Sequence, residues 1–245
     1  MNHNIYISVV IPAYNENVRI VKTLEKTLDY FEIHNYLYEI IIIDDASTDV
    51  TYNLVDSLSR GHSNIKILRN RKNMGKGFSV KRGVLESRGD YVLFSDADLS
   101  TPIEEIEKFF PHFNKGYDIV IGSRALKDSQ ILLKQPWYRK NMGKIFNLLV
   151  RLFIIKGIKD TQCGFKCFRK EVAHKIFSLQ RLNGFCFDVE ILYIAKSLGY
   201  KIKEVPIIWL NCLQSRVAIF NDSICMFFDL FKIKFNNLRK FYDVA

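Results

Sequence analysis

Asp96 and Asp98, separated by one alanine, follow directly on the apolar run Tyr91-Val92-Leu93-Phe94-Ser95. Two carboxylates at that spacing, at the carboxyl end of a buried strand, form a candidate site for a divalent cation. Hard cations take oxygen ligands, and Mg²⁺ is commonly shared between one or two carboxylates and substrate phosphates. An acidic turn after a strand has the same composition, so the triplet alone does not decide. Two other strand ends add weight: Ile40-Ile41-Ile42-Ile43-Asp44-Asp45 closes on a pair of acids, and Ile11-Pro12-Ala13-Tyr14-Asn15-Glu16 on a single one. Open α/β sheets bind their ligands at the carboxyl ends of parallel strands.

These ends need a sheet to bring them together. β-Branched apolar runs flanked by Gly, Asn and Asp predict strands over residues 6–11, 39–43, 65–68, 91–95 and 118–121. Helices are predicted between them over 19–31, 51–59, 78–87 and 103–113. That alternation implies an α/β fold with a doubly wound, mostly parallel sheet. Beyond Arg124 the pattern changes. Residues 138–155 read as a helix apolar on almost all sides, interrupted by Arg151 and flanked by Lys144 and Lys156. Phe220, Ile224, Phe227, Phe228, Phe231, Phe235 and Leu238 recur at helical spacing on a second, basic-ended helix. Such a stripe suits packing on another helix or a second copy of the chain. It equally suits lying in a membrane interface, and the two readings are compatible. The organisation expected is one domain over residues 1–215, divided near 125, with an amphipathic helical segment over 216–245.

At 245 residues and 48% hydrophobic content, the chain has the length and core for that arrangement. Its five cysteines include no C-x-x-C pair and read as reduced thiols of a cytosolic protein. The chain runs straight from Met1-Asn2-His3-Asn4 into a strand, so neither a signal peptide nor an N-terminal membrane anchor is expected. No apolar run is long enough to span a bilayer. The net charge of +10 is concentrated: residues 127–175 hold 12 Lys and Arg against three acids. A basic patch attracts nucleic acid, an acidic lipid surface or a phosphorylated substrate. Nucleic acid ranks last, because no recognised binding module accompanies the patch.

Four segments occur in order: Val9-Val10-Ile11-Pro12-Ala13-Tyr14-Asn15-Glu16, Ile42-Ile43-Asp44-Asp45-Ala46-Ser47-Thr48-Asp49, Asn73-Met74-Gly75-Lys76-Gly77 and Phe94-Ser95-Asp96-Ala97-Asp98. Together they resemble the family 2 glycosyltransferases with the GT-A, Rossmann-like fold. Gly122-Ser123-Arg124, Asp160-Thr161-Gln162-Cys163-Gly164-Phe165-Lys166 and Phe187-Asp188-Val189-Glu190 resemble the polyprenyl-phosphate sugar transferases of that family. Within that subgroup the glucosyl type that uses dolichyl phosphate is nearest and the mannosyl type next.

The resemblance implies an inverting, metal-dependent transfer of a hexose, glucose first, from a UDP-sugar to polyprenyl phosphate. Residues 1–125 would then hold the nucleotide-sugar and 126–215 the acceptor. Pro12, Ala13, Tyr14, Glu16, Ile43, Asp45, Lys76, Asp96, Ala97 and Arg124 match donor-binding positions. Of Asp44 and Asp45, one would meet base or ribose and the other fix Ser47 or a helix N-terminus; the family pattern favours Asp45 for the ligand. Asp96 and Asp98 would hold Mg²⁺ or Mn²⁺ against the diphosphate, assisting its departure. Asp98, Arg124 and Asp188 are the expected catalytic residues. Asp188 aligns with the base of relatives that use hydroxyl acceptors, and an anionic phosphate acceptor does not require one. Arg139, Lys140, Lys166 and Arg216 are candidates for the acceptor phosphate, which guanidinium groups grip in two places. Asp160 is expected to organise the 161–165 loop, and Glu190, two residues after Asp188 and beside Phe187, to stand at a cleft edge.

A Gln stands two residues after the second Asp in the mannosyl cousins. Ser100 stands there in this chain, which weakens a GDP-mannose donor. The rival readings are mannosyl transfer from GDP-mannose, transfer to a saccharide or glycolipid hydroxyl, and a nucleotide-binding regulatory protein on the same scaffold. The expected location is the cytoplasmic face of a membrane, held peripherally by residues 138–155, the C-terminal helix and the basic patch. A homo-oligomer sealed by the C-terminal phenylalanines is also compatible.

Overall fold

The computed structural model describes residues 5–133, 137–210 and 219–243, without the side chains of 137–140 and 219–223. β-Branched and aromatic runs form its strands, because such side chains pack well on a buried pleated surface. In chain order the first half comprises β1 (Ile7–Ala13), α1 (Ile20–Ile33), β2 (Tyr38–Asp44), α2 (Thr51–Ser59), β3 (Ile65–Arg69), α3 (Lys76–Leu85) and β4 (Tyr91–Ser95). A 3₁₀ stretch (Ile103–Lys108) and α4 (Phe110–Asn114) lead to β5 (Ile119–Ser123) and the short β6 (Gln130–Ile131). The remainder is α5 (Trp137–Phe153), β7 (Phe165–Arg169), α6 (Lys170–Leu179), α7 (Phe187–Ser197), β8 (Ile202–Pro206), β9 (Ile208–Trp209) and α8 (Ile219–Leu238).

Seven strands form one sheet in the order β3-β2-β1-β4-β7-β5-β8. Every neighbouring pair is parallel except those of β7, which runs antiparallel to both β4 and β5. The expected α/β, mostly parallel sheet is therefore present, with one inverted strand inserted at its middle. The register pairs Ala13 with Asp44 and Asp44 with Arg69, so β1, β2 and β3 end level and their following loops share one rim. β6 and β9 form a separate parallel pair. The single helix expected over 103–113 is instead a 3₁₀ stretch and a short α4. Pro111, near the start of α4, has no N–H for the preceding turn and its ring crowds it.

The sheet is buried on both faces. Val10 joins Val80 and Val84 of α3 on one side, while its neighbours Val9 and Ile11 join Ile20 and Leu24 of α1 on the other. The α3 face also receives Val150 of α5, Ile191 and Leu192 of α7, and Met226, Leu230 and Ile233 of α8. α5 and α8 each keep an outward apolar face as well. Ile145, Leu148, Leu152 and Phe153 are exposed on α5, and Ile224, Phe228, Phe231, Phe235 and Leu238 on α8. Among the described residues, no helix is long and apolar enough to cross a membrane.

Candidate active site

The loops after β1 and β2 are laced together. Asn15, in the left-handed region at φ +55°, donates its main-chain N–H to Ser47 Oγ at 2.9 Å. Its side-chain oxygen accepts from the Thr48 amide at 2.8 Å, and the Glu16 amide donates to Thr51 Oγ1 at 2.8 Å. Asp44, fully buried, accepts from the Ser47 amide and pairs with Arg69 Nε at 3.1 Å. Of the two alternatives held open for this acidic pair, Asp44 has the structural one. Asp45 faces the 70–75 loop: it accepts from Asn70 Nδ2 at 2.7 Å, the Met74 amide at 2.9 Å and the Gly75 amide at 2.8 Å. Those bonds shape the turn that opens α3, where Gly75 has φ +94°.

Lys76 leaves that turn and reaches Asp96 Oδ1 at 2.7 Å, just past β4. Burial opposes charge on its ammonium, but Asp96, Asp188 and Asp98 together outweigh burial and raise its pKa. Asp96 is fixed from below: its amide donates to the Gly164 carbonyl at 3.1 Å. Its carboxylate fills the space a side chain at 164 would need, since a Cβ there would lie 1.8 Å from Oδ2. Asp98 closes the turn by accepting from the Ser100 amide at 2.9 Å, and its other oxygen lies 3.9 Å from Arg19 Nη1. Arg19 also binds Glu16.

On the β7 side, Lys166 stands opposite Phe94 in the ladder. It is fully buried and donates to Asp188 and to the Cys163 carbonyl. Burial pushes the Asp188 carboxyl up, and Lys166 and Lys76 only partly offset this. Arg124, after β5, forms a two-pronged pair with Asp160, Nε to Oδ2 at 2.7 Å and Nη2 to Oδ1 at 2.8 Å. Burial works against charge on both groups. Their mutual attraction outweighs it, holding Asp160 below the usual carboxylate range and Arg124 above its ordinary value. Asp160 also accepts from the Gln162 amide at 3.2 Å and so shapes the 161–165 loop as expected.

The fold thus gathers Lys76, Asp96, Asp98, Asp188 and Lys166 at one rim, with the Arg124–Asp160 pair and Arg19 beside them. Pro12 and Ala13 end β1 there, and Tyr14 is exposed at the mouth. Two expectations are corrected, those for Lys166 and Glu190. Lys166, a candidate for the acceptor phosphate, has no exposed surface to offer and serves Asp188 instead. Ile43 and Ala97 turn their side chains into the core, Ile43 toward Gly83 of α3, which leaves their main chain as the part that could meet a donor. Glu190, read as a cleft-edge acid, is fully buried and binds the Arg181 and Leu182 amides and the Tyr242 hydroxyl. Arg139 and Lys140 have side chains, and Arg216 its whole residue, outside the described residues. Arg19 and Gly164 did not stand out in the sequence. The three-residue spacing from Glu16 to Arg19 was the available signal for the first.

Asp96 and Asp98 fit a Mg²⁺ or Mn²⁺ ion. Both are partly exposed hard oxygen donors. Among the described residues no group of three or more His, Cys, Asp or Glu gathers. A cation there would complete its shell from substrate oxygens, as phosphate-bridging ions do.

Comparison with known proteins gives the family and the fold. The family model "Glycosyl transferase family 2" matches residues 8–177. Dolichyl-phosphate beta-glucosyltransferase of Dictyostelium discoideum is 40% identical, over 98% of this chain and 77% of that protein. The protein of the same description from Saccharomyces cerevisiae is 35% identical, over 98% of this chain and 78% of its own length. Among solved structures, glucosyl-3-phosphoglycerate synthase from Mycobacterium tuberculosis, in complex with Mn²⁺, UDP and glucosyl-3-phosphoglycerate, superimposes with a TM-score of 0.67. It covers 93% of this chain and 79% of that one at 21% identity, a likeness of fold.

Proposed function

The chain belongs to glycosyl transferase family 2 and is a hexosyltransferase, and on that premise we propose that it transfers glucose from UDP-glucose to a polyprenyl phosphate with inversion at the anomeric carbon. The observation that carries this reading is the rim itself. Lys76, Asp96 and Asp98 stand at the carboxyl end of β4, level with the β1 and β2 loops that would take the nucleotide. Pro12, Ala13, Tyr14 and Glu16 line the uridine side, and Asp45 has acceptor capacity left for the base beside its three loop bonds. Asp96 and Asp98 would hold Mg²⁺ or Mn²⁺, which when bound neutralises charge on the departing diphosphate. Lys76 and Arg124 supply fixed positive charge to the same phosphates.

The acceptor's phosphate oxygen is already anionic near neutral pH, so the bond to the sugar can form while the bond to UDP breaks without prior proton removal. Asp188 then orients, and Lys166 holds its carboxylate in place. Arg139, Lys140 and Arg216 remain the proposed grip on the acceptor phosphate. The outward apolar faces of α5 and α8, with Lys144, Arg151, Lys232 and Arg239 among them, support seating on the cytoplasmic face of a membrane.

One observation favours a second reading. Burial raises the Asp188 carboxyl above its ordinary value, and a more basic carboxylate suits transfer to a saccharide hydroxyl. The test is transfer from labelled UDP- and GDP-sugars to short polyprenyl phosphate, with Mg²⁺, Mn²⁺ or chelator. Metal-dependent lipid labelling, strongest with UDP-glucose and about a thousandfold lower in Asp98→Ala, is expected. Donor hydrolysis without lipid labelling would sink the acceptor assignment. Labelling of a saccharide that disappears in Asp188→Asn would establish the second reading.

A further inference from the structure

Tyr242 follows α8 and is buried, although α8 itself carries a row of exposed phenylalanines. Its hydroxyl donates to Glu190 at 2.6 Å and accepts from Asn236 Nδ2 at 3.3 Å. Glu190, two residues beyond Asp188 on α7, is fully buried. Its oxygens also accept from the Leu182 amide at 2.8 Å and from the Arg181 amide at 3.1 Å. A buried carboxylate held this way fixes its partners firmly, because leaving any of them unpaired costs the full desolvation penalty.

The strap so fixed, residues 180–184, lies against the turn that carries Lys76. Gln180 Nε2 donates to the Gly77 carbonyl at 2.9 Å, and the Phe78 amide donates to the Asn183 carbonyl at 3.2 Å. A Cβ at Gly75 would come within 2.5 Å of the Asn183 oxygen, and one at Gly77 within 2.7 Å of the Leu182 oxygen. The two main chains therefore touch with no side chain between them. Asp45 holds the Met74 and Gly75 amides from the opposite side. Lys76 stands on a turn clamped between Asp45 and the strap.

We propose that Glu190 and Tyr242 are positioning residues for Lys76: through the strap they set where its ammonium meets the donor diphosphate, and they make the seating of α8 a condition of donor binding. This rests on the reading that Lys76 contacts that diphosphate. Neither residue touches the reacting atoms. Both act through main-chain contacts, so their loss moves a lysine that neither of them contacts.

The test measures UDP affinity with Mn²⁺ present by calorimetry on the full chain, for wild type, Lys76→Ala, Tyr242→Phe, Glu190→Gln and Tyr242→Phe/Lys76→Ala. Hydrogen exchange over residues 74–78 and thermal unfolding accompany it. Tyr242→Phe is expected to weaken UDP binding about three- to tenfold, the worth of one hydrogen bond. Exchange at 74–78 should accelerate, and the loss should vanish in the Lys76→Ala background, since coupled residues are non-additive. A lower melting temperature with unchanged UDP affinity would overturn the proposal, as would full additivity with Lys76→Ala. If Tyr242→Phe does not fold, Glu190→Gln decides by the same criteria. If wild type does not bind UDP, or Lys76→Ala leaves binding unchanged, the donor-site reading itself fails and this inference falls with it.

Discussion

Two lysine–aspartate pairs flank the ring of Phe94. Lys76 Nζ lies 5.2 Å from the ring centre and Lys166 Nζ 5.7 Å. Lys76 and Asp96 keep 22% and 33% of their side-chain surface, whereas Lys166 and Asp188 keep 0% and 5%. The chemistry of the two pairs is the same and their situations are opposite. At the open pair part of each side chain reaches solvent, so an incoming cation and diphosphate can replace one partner by another at a smaller penalty than in the sealed pair. At the sealed pair water reaches neither charge, and separating them leaves a carboxylate in the core without its hydrogen-bonded cation. The open pair is suited to handling a substrate that arrives and leaves. The sealed pair is suited to holding a carboxylate where the fold puts it.

Exchanging each lysine for methionine in turn should split the two properties, and this is the largest effect expected. Lys166→Met should destabilise the fold by about 3–5 kcal/mol, because Asp188 is left buried without its partner. Lys76→Met should alter unfolding by about 1 kcal/mol yet lower turnover about a hundredfold or more, through lost charge at the diphosphate. Urea unfolding beside steady-state transfer rates separates the two outcomes. Equal losses of stability in both variants would erase the distinction drawn from exposure.

A smaller effect tests how the open pair is held. Gly164→Ala puts a methyl group where the Asp96 carboxylate lies, 1.8 Å from Oδ2. Asp96 must turn away, and Mn²⁺ affinity should fall about 10- to 100-fold, as it does when a ligand's supporting contact is lost. Titration of Mn²⁺ in the presence of UDP measures this. Unchanged affinity would show that Asp96 does not need its present orientation to hold the ion.

The smallest effect is a pH dependence of the sealed region. Burial raises the carboxyls of Asp188 and Glu190 above their ordinary values. A raised carboxyl takes up its proton more readily folded than unfolded. Its contribution to stability is therefore complete below the unfolded pKa and is lost as pH rises through the folded one. Wild type should thus hold its greatest advantage over Glu190→Gln in acid, and that advantage should shrink as pH rises above about 4. Denaturant midpoints of both proteins across the acid to neutral range check the sign. A difference that grows with pH would mean that the bonds from Tyr242, Arg181 and Leu182 outweigh burial.

The rim at the ends of β1, β2 and β4 was largely legible because it is made of local signals. β-Branched runs such as Ile40-Ile41-Ile42-Ile43, flanked by turn residues, read as buried strands, and the acids that follow then emerge at their carboxyl ends. β7 was not legible. Phe165-Lys166-Cys167-Phe168-Arg169 carries a lysine in the middle of the sheet, and its partner Asp188 lies 22 residues away. Arg124 reads equally well as a phosphate ligand or as a structural ion pair until the fold brings Asp160 to it across 36 residues. Asp45 and the Gly75 amide it holds are similarly 30 residues apart. Glu190 read as a cleft-edge acid because nothing near it in sequence announces the Tyr242 hydroxyl, 52 residues on.

The sequence by itself determined the α/β architecture, the family, the strand ends that carry acids and the lysine between two glycines, because period, propensity and motif spacing act over a few residues. Only the tertiary structure decided which charges are open and which are sealed. Burial is a property of how distant segments pack, and a carboxylate's role as ligand, clamp or scaffold depends on whether water or a lysine from another strand reaches it.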